Sequence, residues 1–154
     1  IAGALIQQLL KAGVTVHATV RNTTNTHRLE YLVDLADKSG GGKLVFFEAD
    51  LAKPGSFAEA LEDVAIVFHT AAPFVTNAED PQKDVITPIV QGTENVLLQA
   101  TKTPSVERVV LTSSCAAIAG DAADTYDAPN GVLTEAIWNR SSTKESGPYS
   151  VAKT

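Results

Sequence analysis

A tyrosine and a lysine stand four residues apart in the closing stretch "GPYSVAKT": Tyr149 and Lys153. Pro148 suits the first turn of a helix, where its missing N–H costs nothing. Residues i and i+4 lie on one helical face, so this spacing can hold a phenol beside an ammonium. A nearby positive charge favours the ionised form of an acid, and acid–base catalysis is most effective when a group's proton is exchanged near operating pH. Ser113 and Ser114 end the stretch "RVVLTSS". A hydroxyl at the end of a buried strand can reach a bound substrate, although serines also end strands because they begin turns. Taken together, in the order Ser, Tyr, Lys, these groups favour a catalytic reading over a chance pairing.

The elements that must position them follow from two alternating periods. "IAGALIQQLLKAG" carries apolar residues at Leu5, Ile6, Leu9 and Leu10, with Gly13 as the expected helix stop. "VTVHATV" is short and β-branched, a strand. "HRLEYLVDLADK" returns to helical spacing, "SGGG" breaks it, and "KLVFFEA" is the next strand. "GSFAEALEDV" reads as a short helix with Ser56 as N-cap and Glu59 three residues on, a capping-box pattern. "AIVFHT" is a strand, "DVITPIVQGTENVLLQATK" a long helix that must tolerate Pro88, and "RVVLTS" another strand. From Cys115 to Gly147 the chain is mostly polar and irregular, and a loop of that length in a compact domain is usually functional or mobile.

Helices alternating with nearly continuous apolar strands imply an α/β fold: a doubly wound parallel sheet of the Rossmann type, covered on both faces. Such sheets bind ligands at the carboxyl ends of their strands. The positions to inspect are therefore Arg21, Asp50, Thr70 to Ala72, and Thr112 to Ser114. In a dinucleotide fold the second strand ends against the adenosine ribose. An acid there binds a free 2′-hydroxyl, and an arginine accommodates a 2′-phosphate. Val20, Arg21 and Asn22 offer no acid, and Arg28 follows at the start of the next helix. That favours NADP over NAD, against the plainer reading of a solvated surface arginine.

Composition narrows the remaining classes. The chain has 154 residues, 44% of them hydrophobic and 19% charged, the balance of a globular protein with a core. A net charge of −6 disfavours nucleic acid as a partner. No apolar run approaches the roughly 20 residues needed to span a membrane, so no membrane partner is expected. A single cysteine, Cys115, excludes an internal disulfide and fits a reducing, cytoplasmic setting. Cys115 reads as a small buried thiol, since no histidine follows it to activate it. His17, His27 and His69 lack metal-ligand spacing, so no metal is expected. Asp121, Asp124 and Asp127 read as a solvated turn, and Trp138 as the residue that packs the late loop down. The chain contains no methionine and opens on helix-like sequence, which reads as a piece of a longer protein.

The stretches "TVHATVRN", "EADLAKPGSF", "VFHTAAP", "QGTENVL", "RVVLTSS", "TEAIW" and "PYSVAKT" occur in an order that resembles the extended short-chain dehydrogenase/reductase family. The similarity is greatest to its dihydroflavonol reductase and cinnamoyl-CoA reductase branch. The resemblance implies an NADP(H)-dependent oxidoreductase that interconverts a carbonyl and a CH–OH group of a small molecule. It implies Tyr149 as general acid, Lys153 as the charge beside it that also holds the nicotinamide ribose, and Ser114, rather than Ser113, as the hydrogen-bond donor to the substrate oxygen. Asp50 and Leu51 would flank the adenine, while Thr70, Ala71 and Ala72 would line the cofactor cleft. Ile1 and Ala2 resemble the last two positions of the glycine-rich fingerprint. The first strand, which the resemblance places between "VTVHATV" and "AIVFHT", would then precede residue 1, and a substrate-binding region would follow residue 154. Residues 1–154 are thus expected to be a partial NAD(P)-binding domain, inactive alone. Nucleotide-sugar epimerases and dehydratases share the Tyr and Lys, but dehydratases of that kind usually carry an Asp-Glu pair where Cys115 and Ala116 stand. A non-enzymatic NADP sensor is a third alternative, disfavoured because the tyrosine is kept.

Overall fold

The computed structural model describes residues 1–154 except Phe74, Thr76 and Asn77, and of Thr26 and Arg28 it describes the backbone alone. The chain divides into two compact units, Ile1–Thr70 with Asn95–Val110, and Ala71–Glu94 with Leu111–Thr154.

The first unit begins with α1 (Ala2–Lys11), whose Leu10 is fully buried. Gly13 ends the helix as expected. It takes φ +80°, its N–H donates to Leu10 O, and the Val14 N–H reaches Leu9 O. This pair of bonds satisfies carbonyls that the helix end leaves without partners, and the left-handed residue it requires is most easily glycine. β1 (Thr15–Val20) follows, then α2 (Thr26–Ser39) and β2 (Lys43–Glu48). β1 and β2 pair in parallel, from Thr15 opposite Lys43 to Val20 opposite Glu48. The glycines before β2 do more than break a helix: a Cβ on Gly42 would collide with Val14 O and the backbone of Leu10, so the chain can pass there only without a side chain.

After α3 (Ala58–Leu61) come β3 (Ile66–His69) and, later, β4 (Arg108–Leu111). The core gathers Ala49, Phe57, Ala60 and Leu61 with Val96 and Ala100 of α4 (Thr87–Lys102). The expected succession of helices and strands is present, with parallel pairing of β1 and β2. The sheet, however, lies in two pairs: β3 pairs with β4, and among the described residues no strand pairing joins them to β1 and β2. The expectation that every strand is covered on both faces needs correction. Ile66 and Phe68 of β3 and Val110 and Leu111 of β4 are exposed.

Ser56 also departs from its expected role. The N-cap of α3 is Phe57, with no side-chain cap. The Ser56 hydroxyl instead donates to Asp50 O at 2.8 Å and accepts from Asp50 N at 3.1 Å. Gly55, at φ +79°, turns the chain so that the hydroxyl faces the loop after β2.

The long helix expected from residue 84 is divided. A π-helical turn, Gln82–Ile86, precedes α4. Pro88 has no N–H to give to Asp84, and its ring would crowd that carbonyl. A wider turn at this point accommodates both facts. The region between Cys115 and Gly147 is irregular, as expected, apart from a 3₁₀ turn at Cys115–Ala117, α5 (Asp124–Asp127) and a second 3₁₀ turn at Pro129–Gly131. The closing helix is α6 (Pro148–Lys153), with proline at its start. It packs on the π-helical turn and on the 3₁₀ turn at Cys115–Ala117. No helix among the described residues is long and apolar enough to cross a membrane.

Candidate active site

The second unit brings Ser114, Tyr149 and Lys153 together on two neighbouring elements. Ser114 is half-buried and extended (φ −149°, ψ 154°) just beyond β4, and it caps the 3₁₀ turn that follows: its Oγ accepts from Ala116 N at 3.2 Å. That bond uses a lone pair of the oxygen and not its proton. Ser113 is exposed and has no such anchorage. Two adjacent serines that the sequence leaves equivalent are therefore physically different.

Tyr149 and Lys153 are half-buried on α6, one turn apart. The Lys153 ammonium donates to Thr112 O at 3.3 Å, which ties α6 to that residue, and it stands 5.8 Å from the centroid of the Tyr149 ring. A cation at that distance lies at the outer reach of a cation–π contact. An ammonium has three hydrogens, and the Thr112 carbonyl takes one.

The other candidate residues lie along the strand ends. Arg21 is exposed immediately after β1, and Asp50 is half-buried two residues beyond β2, at the adjacent strand end. Asp50 Oδ1 accepts from Ala52 N at 2.9 Å, a side-chain-closed turn. Leu51 is half-buried, and its carbonyl accepts from Asn95 Nδ2 at 2.7 Å. Thr70 follows β3 half-buried; Ala71 is exposed and Ala72 half-buried in the second unit. The side chain of Arg28 lies outside the described residues. His69 is buried at the end of β3. Among the described residues no group of three His, Cys, Asp or Glu side chains could hold a metal ion.

Three readings of the late loop need correction. Cys115 is exposed rather than buried, because it opens the 3₁₀ turn on its outer side. Trp138 is 60% exposed and does not pin the loop. The adjacent Asn139, only 8% exposed, does so through its amide. Asp124 is likewise no mere solvated turn residue. Its Oδ2 accepts from Gly120 N at 2.8 Å, Asp121 N at 3.1 Å and Ser141 Oγ at 2.7 Å. These donors, Ser141 first, hold the carboxyl below its ordinary value of 3.8.

The whole chain, residues 1–154, matches one family. The protein belongs to the NAD dependent epimerase/dehydratase family. Among the curated members of this family that it resembles, a cinnamoyl-CoA reductase of Medicago truncatula is 43% identical over 119 residues, covering 77% of this chain and 36% of that protein. An anthocyanidin reductase of Arabidopsis thaliana is 40% identical over 118 residues, covering 77% of this chain and 34% of that protein. The chain thus spans little more than a third of these relatives. Among solved structures, Gre2 of Candida albicans in complex with NADPH superposes with a TM-score of 0.77 at 30% identity, covering 98% of this chain and 46% of that one. The yeast methylglyoxal/isovaleraldehyde reductase Gre2, also complexed with NADPH, gives 0.73 at 28% identity, covering 98% and 46%. The Rossmann-type α/β fold expected from the sequence is the fold of these epimerase/dehydratase relatives.

Sequence reasoning passed over two polar residues that organise this family member's loops: Asn95, which with Ser56 fixes the turn at Asp50 and Leu51, and Asn139. Asn95 left a faint signal, an amide directly before the apolar run Val96–Leu98. Asn139 left none, being one polar residue within a polar stretch.

Proposed function

We propose that the full-length protein is an NADP(H)-dependent reductase that interconverts a carbonyl and a CH–OH group of a small molecule, and that residues 1–154 are its dinucleotide-binding part. The observation that carries this reading is the Lys153 ammonium, tethered to Thr112 O at 3.3 Å and 5.8 Å from the Tyr149 ring centroid. The reductase names of the relatives and the NADPH complexes of the two Gre2 proteins support it.

The residues suit the cofactor chemically. Arg21, exposed at the end of β1 and flanked in sequence by Val20 and Asn22, offers a guanidinium to a 2′-phosphate. Asp50 and Leu51, in a turn held by Ser56 and Asn95, would flank the adenine, with Thr70, Ala71 and Ala72 lining the cleft. Lys153 has hydrogens left for ribose hydroxyls. Bound NADPH supplies hydride to the carbonyl carbon.

The chain's own groups then manage the oxygen. Ser114 donates its hydroxyl proton in a hydrogen bond to the carbonyl oxygen, which keeps that oxygen within reach of Tyr149. Tyr149 gives its phenolic proton to the oxygen as negative charge develops there. The Lys153 ammonium stabilises the phenolate left behind. Reversal of these steps oxidises an alcohol. A spectrophotometric screen of full-length protein with NADPH and a panel of ketones, aldehydes and CoA thioesters tests the reading. Carbonyl-dependent NADPH oxidation is expected, and its absence across the panel would count against a reductase.

A further inference from the structure

Asn139 is the most completely engaged polar side chain of the second unit, yet the chemistry above makes no use of it. Its amide nitrogen donates to Ala116 O at 2.8 Å and to Ser142 Oγ at 2.9 Å. Its amide oxygen accepts from Ser141 N and Ser142 N, both at 3.1 Å, with Ser141 Oγ at 3.4 Å. Its backbone N–H donates to Ala117 O at 2.9 Å. A buried amide so fully satisfied fixes geometry, because any displacement leaves a polar group without a partner.

The two ends of this clamp are the reason to assign it a role. Ala116 and Ala117 belong to the 3₁₀ turn whose first N–H groups are capped by Ser114. Ser142, at the other end, lies against Gly147, the residue that starts α6: a Cβ on Gly147 would stand 3.1 Å from Ser142 Oγ. Gly147 N is in turn held by Thr143 O at 2.8 Å. A Cβ on Gly120 would collide with Ser142 Oγ and stand 3.1 Å from Asn139 Nδ2, so the clamp leaves no slack on that side. Asn139, through Ser142, thus connects the turn capped by Ser114 to the start of the helix that carries Tyr149 and Lys153.

We infer that Asn139 is a positioning residue for carbonyl reduction: its amide sets the separation between the Ser114 hydroxyl and the Tyr149 phenol while touching neither. This rests on the reductase reading above. A misplacement of about 1 Å between catalytic groups can cost on the order of 10²-fold in rate, and the loss falls on kcat rather than on cofactor binding.

The experiment compares full-length protein with Asn139→Asp, Ser142→Ala and Tyr149→Phe, measuring kcat, KM, NADPH affinity by fluorescence, and melting temperature. Asn139→Asp keeps an acceptor but loses both N–H donors at neutral pH. Its kcat should fall about tenfold or more, with NADPH affinity within about twofold of the unaltered protein. The discriminating sign is the pH profile. Protonation of the introduced carboxyl restores one O–H donor toward Ala116 O, so the deficit relative to the unaltered protein should shrink as pH falls. A purely structural role would lower the melting temperature while leaving kcat per folded molecule unchanged. Ser142→Ala removes one bond from the clamp at a site that tolerates the smaller residue, and its kcat should fall about threefold or more. It decides the matter if Asn139→Asp does not fold. Normal kcat in the folded variants, beside an active parent and an inactive Tyr149→Phe, would overturn the positioning role alone. An inactive parent would remove the reductase reading and this inference with it.

Discussion

Lys153 stands 5.8 Å from the centroid of the Tyr149 ring, one helical turn further on, with its ammonium hydrogen-bonded to Thr112 O. α6 is only six residues long. An isolated helix of that length is unstable in water, so this pairing depends on tertiary support. The tether to Thr112 and the packing on Cys115–Ala117 supply it.

Removing the ammonium should therefore cost twice over. Lys153→Met loses the charge beside the phenol and leaves Thr112 O without this donor. We expect kcat of the full-length protein to fall by about 10²-fold or more, the scale of acid–base assistance, with weaker NADPH binding. Lys153→Met kinetics within twofold of the unaltered protein would show that the charge is not used.

The serines provide an internal control. Ser114 caps a turn and is half-buried, while Ser113 is exposed. Ser114→Ala should reduce kcat strongly and cost about 1 kcal/mol of stability through the lost cap. Ser113→Ala should do neither. Steady-state kinetics and denaturant melts of both variants measure this, and the reverse order would reassign the substrate hydroxyl.

Cofactor choice should rest on Arg21. The full-length protein is expected to favour NADPH over NADH, and Arg21→Asp to reverse or erase the preference by putting an acid where the 2′-phosphate would sit. The ratio of kcat/KM for the two cofactors measures it. A ratio near one in the unaltered protein would remove the role given to Arg21.

The late loop carries a pH signature. The hydrogen bonds from Ser141, Gly120 and Asp121 lower the Asp124 pKa from 3.8. A carboxyl whose folded pKa lies below its unfolded one stabilises the protein fully above the unfolded value, and that contribution disappears as pH falls through the folded one. Asp124→Asn should thus be less stable than the unaltered protein at neutral pH, and the gap should narrow as pH falls below 3.8. Chemical denaturation at several pH values measures the gap; a constant one would mean that the charge contributes nothing.

Much of the fold could be read from periodicity because apolar spacing reports burial directly, as in the runs that became α1, β1 and β2. The Gly13 stop was readable because a left-handed residue has few substitutes. Contacts set by the third dimension were not readable. Ser56 matched a capping pattern, yet its hydroxyl found the Asp50 backbone, which is six residues away in sequence and adjacent in space. Trp138 looked like the anchor of its loop by size, while the anchor is the neighbouring Asn139, whose partners at residues 116 and 117 no local pattern could supply. The candidate triad was legible as residue types in order. Ser114 was preferred to Ser113 through the resemblance alone; the capping bond that sets the two hydroxyls apart physically depends on the backbone.

The most direct test of the account is a comparison of the full-length protein with Tyr149→Phe in NADPH oxidation driven by a carbonyl substrate, alongside NADPH binding by fluorescence. The substitution removes one hydroxyl, so folding and cofactor affinity should persist while turnover falls by roughly 10²–10⁴-fold. Near-normal turnover by Tyr149→Phe would contradict the proposal that this phenol protonates the carbonyl oxygen.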